Sequence, residues 1–228
     1  DVAAATEPAT AEHADIPLAA PAKRQGRSPA DHIFGRGSAY TTTQGTAIVK
    51  VFDLTAAITG PSEKVLRRAG MAFEKIYLHP FGHASYYPGT AQMHMKVMFA
   101  HGDGRILGAQ IVGYDGVDKR IDVLAVAVRM GMTVYDLEHL ELAYAPPYGS
   151  AKDPINMAGF VGANVLNGDV RFWFPEDYPE KTLIGPVLLV RTRMEFERKP
   201  LTDAVWIPLS VLHKTGDERA LLLEPIFI

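Results

Sequence analysis

The stretch LAYAPPYGSAKDP, residues 142–154, sets two phenols, an ammonium and a carboxylate close together along the chain. X-Pro geometry drives Ala145 and Pro146 out of the helical region and the proline rings fix φ. Tyr144 and Tyr148 are therefore presented on an extended loop at little entropic cost. A phenol with its ordinary pKa of about 10 is neutral at pH 7 and serves as a proton or hydrogen-bond donor rather than a base. The plain alternative is two tyrosines packing a loop against the core. Lys152 stands before Asp153 and Pro154, a capping residue and a first-turn proline, so a helix is expected to open there. Free N–H groups and the helix dipole at such an end favour an anion, and an added ammonium makes a phosphate or carboxylate seat. The alternative is a solvated lysine. Lys23 and Arg24, near the start of an earlier helix, pose the same pair of readings. HASYYPG (83–89) again locks aromatic residues ahead of a Pro-Gly turn.

Other clusters carry less chemistry. GVDKRID puts Asp118, Lys119, Arg120 and Asp122 in one helical turn, which reads as a surface ion-pair cluster. The eight histidines show no metal spacing, and HGDGRILG is glycine-rich but sits in a hairpin. Cysteine is absent, which removes disulfides, thiolate zinc sites and cysteine nucleophiles from this chain. With 228 residues, 47% of them hydrophobic, the chain can bury a real core. A net charge of -3 with mixed signs argues against a general nucleic-acid surface. No apolar run reaches the roughly 20 residues of a membrane-spanning helix, and a soluble, cytoplasmic chain is expected. It begins at Asp1 without a methionine, as a piece of a longer protein would.

The elements that must hold these groups follow from pattern. IPLAAPAKRQGRSPADHIFG suggests a helix ending near Gly35, with Pro29 as a possible kink or interruption. GTAIVKVFDLTAAITG has the content of one strand between Gly45 and Gly60. EKVLRRAG is a short helix stopped by Gly70. MHMKVMFAHGDGRILGAQIVG is two strands about a turn at 101–104. From Asp118, Ile121, Leu124, Ala125 and Val128 share one helix face, closing at Gly131. A last helix runs from Asp153 to about Gly168. Beyond it, GPVLLV and VWIPLSVL read as strands, the second leading into a helix, in a further α/β segment.

Together GTAIVKVFDLTAAITG, YYPG and GRILGAQIVGYDGVDKRIDVLAVAVRMGMTVYDLEHLELAYAPPYGSAKDPINMAGFVGANVL strongly resemble the C-terminal dimerisation domain of the single-cysteine pyridine nucleotide-disulfide oxidoreductases. These are the coenzyme A disulfide reductases, NADH oxidases and persulfide reductases. The resemblance implies an α+β fold, an antiparallel sheet with flanking helices, over residues 45–168. It implies the tail of an FAD-binding domain over 1–44 and an incomplete rhodanese-like α/β segment over 169–228. It further implies a homodimer in which Tyr86 and Tyr144 reach the neighbouring subunit's active site. Tyr144 also falls near FAD, Asp1 matches the aspartate on the flavin's ribityl chain, and Lys152 and Lys23 match positions contacting coenzyme A.

The pattern also departs from the family. The dinucleotide folds for FAD and NAD(P)H and the redox cysteine are absent from these 228 residues. In the rhodanese-like part Leu189 stands where an aspartate is expected, and the catalytic cysteine loop is missing. The expectation is a fragment of an FAD-dependent NAD(P)H:coenzyme A disulfide or persulfide reductase, incomplete by itself and holding no cofactor stably. The other readings are a fragment of an NADH oxidase on the same framework or a non-catalytic dimerising module.

Overall fold

A computed structural model of the chain describes residues 5–11, 13–38, 40, 42–172, 174, 176, 188–191 and 205–208. Asp1 lies outside them. Two short strands, β1 (Ala5–Thr6) and β2 (His13–Ala14), pair antiparallel and lead to helix α1 (Ala19–Ile33). The helix runs on through Pro29. That proline withholds one backbone donor, but the bonds after it form, with Phe34 N–H on Ala30 O at 3.3 Å, and Gly35 stops the helix at φ +69°.

The expected single strand between Gly45 and Gly60 is instead a hairpin, β3 (Ala47–Val51) and β4 (Leu54–Thr59), with Val51 opposite Leu54. Its two-residue turn contains Phe52 at φ +52°, a conformation usually given to Gly, Asn or Asp. Asp53 fills the second turn position, but with Phe rather than Gly at the first the turn is easily read through as strand. Helix α2 (Glu63–Arg68) follows, then β5 (Phe73–Leu78), a strand the pattern did not reveal. The hairpin β6 (Met93–Ala100) and β7 (Ile106–Gly113) forms as expected. Helix α3 (Val117–Met130) ends at Gly131 with φ +66°. Ala127 rather than Ala125 joins its buried stripe.

Helix α4 (Val134–Glu138) also went unseen, although Thr133 and Asp136 form a reciprocal capping box at its start. Helix α5 (Pro154–Leu166) completes the unit Asp1–Leu166. The sheet has strand order β3-β4-β7-β6-β5, with every neighbouring pair antiparallel. α3 packs on β7 and β4, and α5 on α4 and β5. Met93, Met95, Val97, Ile111, Ile121, Leu124 and Ile155 are all fully or almost fully buried. At roughly 1.5–3 kcal/mol for each large apolar side chain removed from water, these residues supply the main driving force for the unit. Leu66 of α2 packs with Met98 and Leu107.

α4 lies so close to α5 that a Cβ on Gly159 would stand 2.5 Å from Glu138 N and 2.8 Å from Val134 O. In the second unit, Asn167–Ile228, β8 (Leu188–Arg191) and β9 (Val205–Pro208) form a parallel pair. The helix expected after the second of these strands lies outside the described residues. Among the described residues, no helix is long and apolar enough to cross a membrane.

Candidate functional site

Tyr86 and Tyr144, 58 residues apart in the chain, meet with their phenol oxygens 3.4 Å apart. The contact is long for an O–H···O bond, so it orients the rings more than it binds them. Tyr86 sits in the turn of the loop joining β5 to β6. There the Tyr87 N–H donates to Ala84 O at 2.9 Å and Gly89 takes φ +85°. Tyr144 sits on the connection from α4 to α5. A backbone bond joins the two segments directly, the Ala84 N–H donating to Gly149 O at 2.9 Å. Both rings face outward, Tyr86 at 75% and Tyr144 at 48% exposure, and Tyr148 is 72% exposed, so none of the three fills the core.

The hydrogen bond with Tyr86, and to a lesser extent partial burial, pushes the Tyr144 phenol above its usual range. It is therefore protonated throughout the neutral range and available as a donor.

The stretch 143–149 is shaped by charge as well as by proline. Tyr148 N–H and Gly149 N–H both donate to Ala145 O, at 2.8 and 3.1 Å, so the expected extended loop instead closes as a turn across Pro146 and Pro147. Lys119, in the first turn of α3, donates from Nζ to Ala143 O at 3.2 Å and to Tyr148 O at 3.4 Å.

Beneath lies a buried ion pair. Arg120 is 1% exposed and reaches Asp153 through Nη2 to Oδ2 at 2.9 Å, with Nε 3.4 Å from Oδ1, while Nη1 donates to Gly116 O at 3.3 Å. The surface cluster expected around 118–122 is thus corrected at Arg120. Val117, Arg120, Ile121 and Leu124 share the spacing of a buried helical stripe, and a cation there requires an anion. That spacing was the available signal for a pair the sequence reading missed.

Asp153 also decides what happens at the start of α5. Its Oδ1 accepts the Ile155 N–H at 3.0 Å and its carbonyl accepts the Met157 N–H at 2.9 Å. The vacant anion seat argued from sequence is accordingly corrected, because the chain's own carboxylate fills the helix end. Lys152 does not stand at that end either. Its ammonium lies 5.1 Å from the centroid of the Phe160 ring, along the helix. Lys23 is exposed in α1. That helix lines a cleft of about 950 Å³ with residues 42–46 and the face of α3 that carries Asp122, Val126 and Met130, and neither Tyr86 nor Tyr144 borders it.

A second charged cluster stands apart from the tyrosines. Glu63 accepts from Lys75 at 2.9 Å, from Arg67 at 2.6 Å and from Lys96. Burial by itself would raise the Glu63 pKa, but hydrogen bonds from Lys96, Lys75 and Arg67 outweigh it and lower the value to about 2. Among the described residues, no three His, Asp or Glu side chains could hold a metal ion. Among the described residues, the neighbouring strands of the five-stranded sheet are all antiparallel, unlike the parallel frame of a dinucleotide-binding fold.

Residues 46–153 match the pyridine nucleotide-disulphide oxidoreductase dimerisation domain. Over 148 residues the chain is 39% identical to the coenzyme A disulfide reductase of Staphylococcus aureus, a match covering 64% of this chain and 33% of the relative. The chain thus spans about a third of the curated relatives it matches. The structure of reduced Bacillus anthracis CoADR-RHD is similar with a TM-score of 0.89 and 40% identity, over 94% of this chain and 39% of that one. An NAD-dependent persulfide reductase from A. fulgidus aligns with a TM-score of 0.84 and 33% identity, over the same shares of the two chains. The antiparallel sheet, the flanking helices and these matches identify residues 46–153 as a pyridine nucleotide-disulphide oxidoreductase dimerisation domain.

Proposed function

We infer that this chain supplies the subunit contact and the partner-facing phenols of an FAD-dependent NAD(P)H:coenzyme A disulfide or persulfide reductase acting as a homodimer. The observation that carries the reading is the outward-facing Tyr86–Tyr144 pair on a dimerisation domain. Two aromatic rings held at a surface by proline, a backbone bridge and a lysine are ordered before any ligand arrives, which lowers the cost of using them in an interface.

FAD and NAD(P)H, in this reading, belong to the parent enzyme and supply its electrons. This chain's residues supply position and protons. The neutral Tyr144 phenol donates a hydrogen bond to a sulfur that leaves as thiolate, and Tyr86 orients it. Tyr144 also borders the flavin, and Asp1 contacts its ribityl chain. Lys152 swings from Phe160 to a coenzyme A phosphate, a movement its flexible four-carbon stem permits. Lys23 is a second coenzyme A contact, brought to the site in the assembled enzyme. Residues 169–228 are read as a rhodanese-like segment.

Sedimentation equilibrium of the purified chain tests the dimer, and titration with coenzyme A disulfide followed by ligand-observed NMR tests the site. A dimer that binds the ligand, with Lys152→Met about tenfold weaker through loss of one charge-assisted contact, is expected. A strict monomer at high micromolar concentration that ignores the ligand overturns the reading.

A further inference from the structure

We propose that Lys119 is the positioning residue of the phenol pair, its ammonium holding the backbone of 143–148 as a ring so that Tyr144 meets Tyr86. The carbonyl of Ala143 belongs to the same rigid peptide plane as the Tyr144 N–H, so a donor fixed on that oxygen sets the direction in which Tyr144 leaves the backbone. Lys119 Nζ is 3.2 Å from this oxygen. Its second acceptor, Tyr148 O at 3.4 Å, precedes Gly149, whose carbonyl takes the Ala84 N–H and so tethers the segment bearing Tyr86.

One ammonium therefore touches both ends of the loop that carries one phenol, and one peptide lies between it and the bridge to the other. Lys119 itself is held from below. Its Nζ lies 3.9 Å from Asp153 Oδ2, the carboxylate that Arg120 binds, and its side chain is only 33% exposed. Proline stiffens 145–147 but does not choose the plane before Tyr144. The catalytic consequence of the clamp rests on the function proposed above, whereas the geometric role does not.

The test uses the full 228-residue chain with ¹³Cζ-labelled tyrosine, the resonances assigned through Tyr144→Phe and Tyr86→Phe. Lys119→Met is expected to move the Tyr144 signal and bring its titration midpoint down to that seen in Tyr86→Phe, while Lys119→Arg, whose fork keeps two donors, restores most of the wild-type position. Lys119→Gln replaces Met should the latter leave the chain unfolded by circular dichroism. A Tyr144 signal and titration unchanged in the folded neutral variant overturns the proposal, whatever ligand binding does. Binding of coenzyme A disulfide is measured on the same samples. A displaced Tyr144 with undiminished binding supports the clamp while removing Tyr144 from the coenzyme A site, so the two ideas fail separately.

Discussion

Asp153→Ala is the most informative change in this chain, because one carboxylate both neutralises a buried guanidinium and caps α5. Arg120 is 1% exposed, and its remaining contact in the variant would be Gly116 O at 3.3 Å. Breaking a buried ion pair by removing one partner costs about 3–5 kcal/mol, since the other charge stays behind without compensation. Loss of the Ile155 N–H bond adds about 1 kcal/mol, the usual worth of an N-cap. Asp153→Asn separates the two contributions. Asparagine caps as well as aspartate, so this variant should recover about 1 kcal/mol and leave the charge defect. Urea unfolding of the Asp1–Leu166 unit, followed by far-UV circular dichroism, reads both. With a slope of about 2 kcal/mol/M, Asp153→Ala should lower the midpoint by roughly 2 M or more. A loss below about 1 kcal/mol in both variants would refute the reasoning, for it would mean that Arg120 finds water or another anion when Asp153 is gone.

Glu63 gives a pH signature. Its folded pKa of about 2 lies below the ordinary 4.5, so its contribution is fully present above pH 4.5 and is lost as pH falls through 2. The shift sets a ceiling of roughly 3 kcal/mol, and a side chain 17% exposed among several cations should realise about half of it. Glu63→Gln should therefore cost about 1–2 kcal/mol at pH 7, and the difference from wild type should close in acid; a pH-independent difference sinks the assignment. Gly159→Ala should cost about 2 kcal/mol or more in thermal melts, because the new methyl would lie 2.5 Å from Glu138 N, a backbone atom with little freedom to yield. An unchanged melting temperature would show that α4 can lift away from α5.

The sequence by itself determined the parts whose physics is local. Alternating apolar residues specified β6 and β7, a 3.6-residue stripe specified α3, and Asp153-Pro154 specified where α5 opens. The proline-stiffened tyrosines and the family motifs were likewise legible, since each lies on a few consecutive residues. Tertiary structure alone decided what those residues meet. Phe52 takes a left-handed turn because the facing strands of a hairpin demand it, against its own preference. Arg120 is buried because Asp153, 33 residues away, arrives to neutralise it. Lys152 lies along the Phe160 ring rather than in front of the helix, because the same carboxylate already occupies the helix end. Whether a charge is solvated or buried depends on groups remote in the chain, and only the folded molecule brings those groups to it.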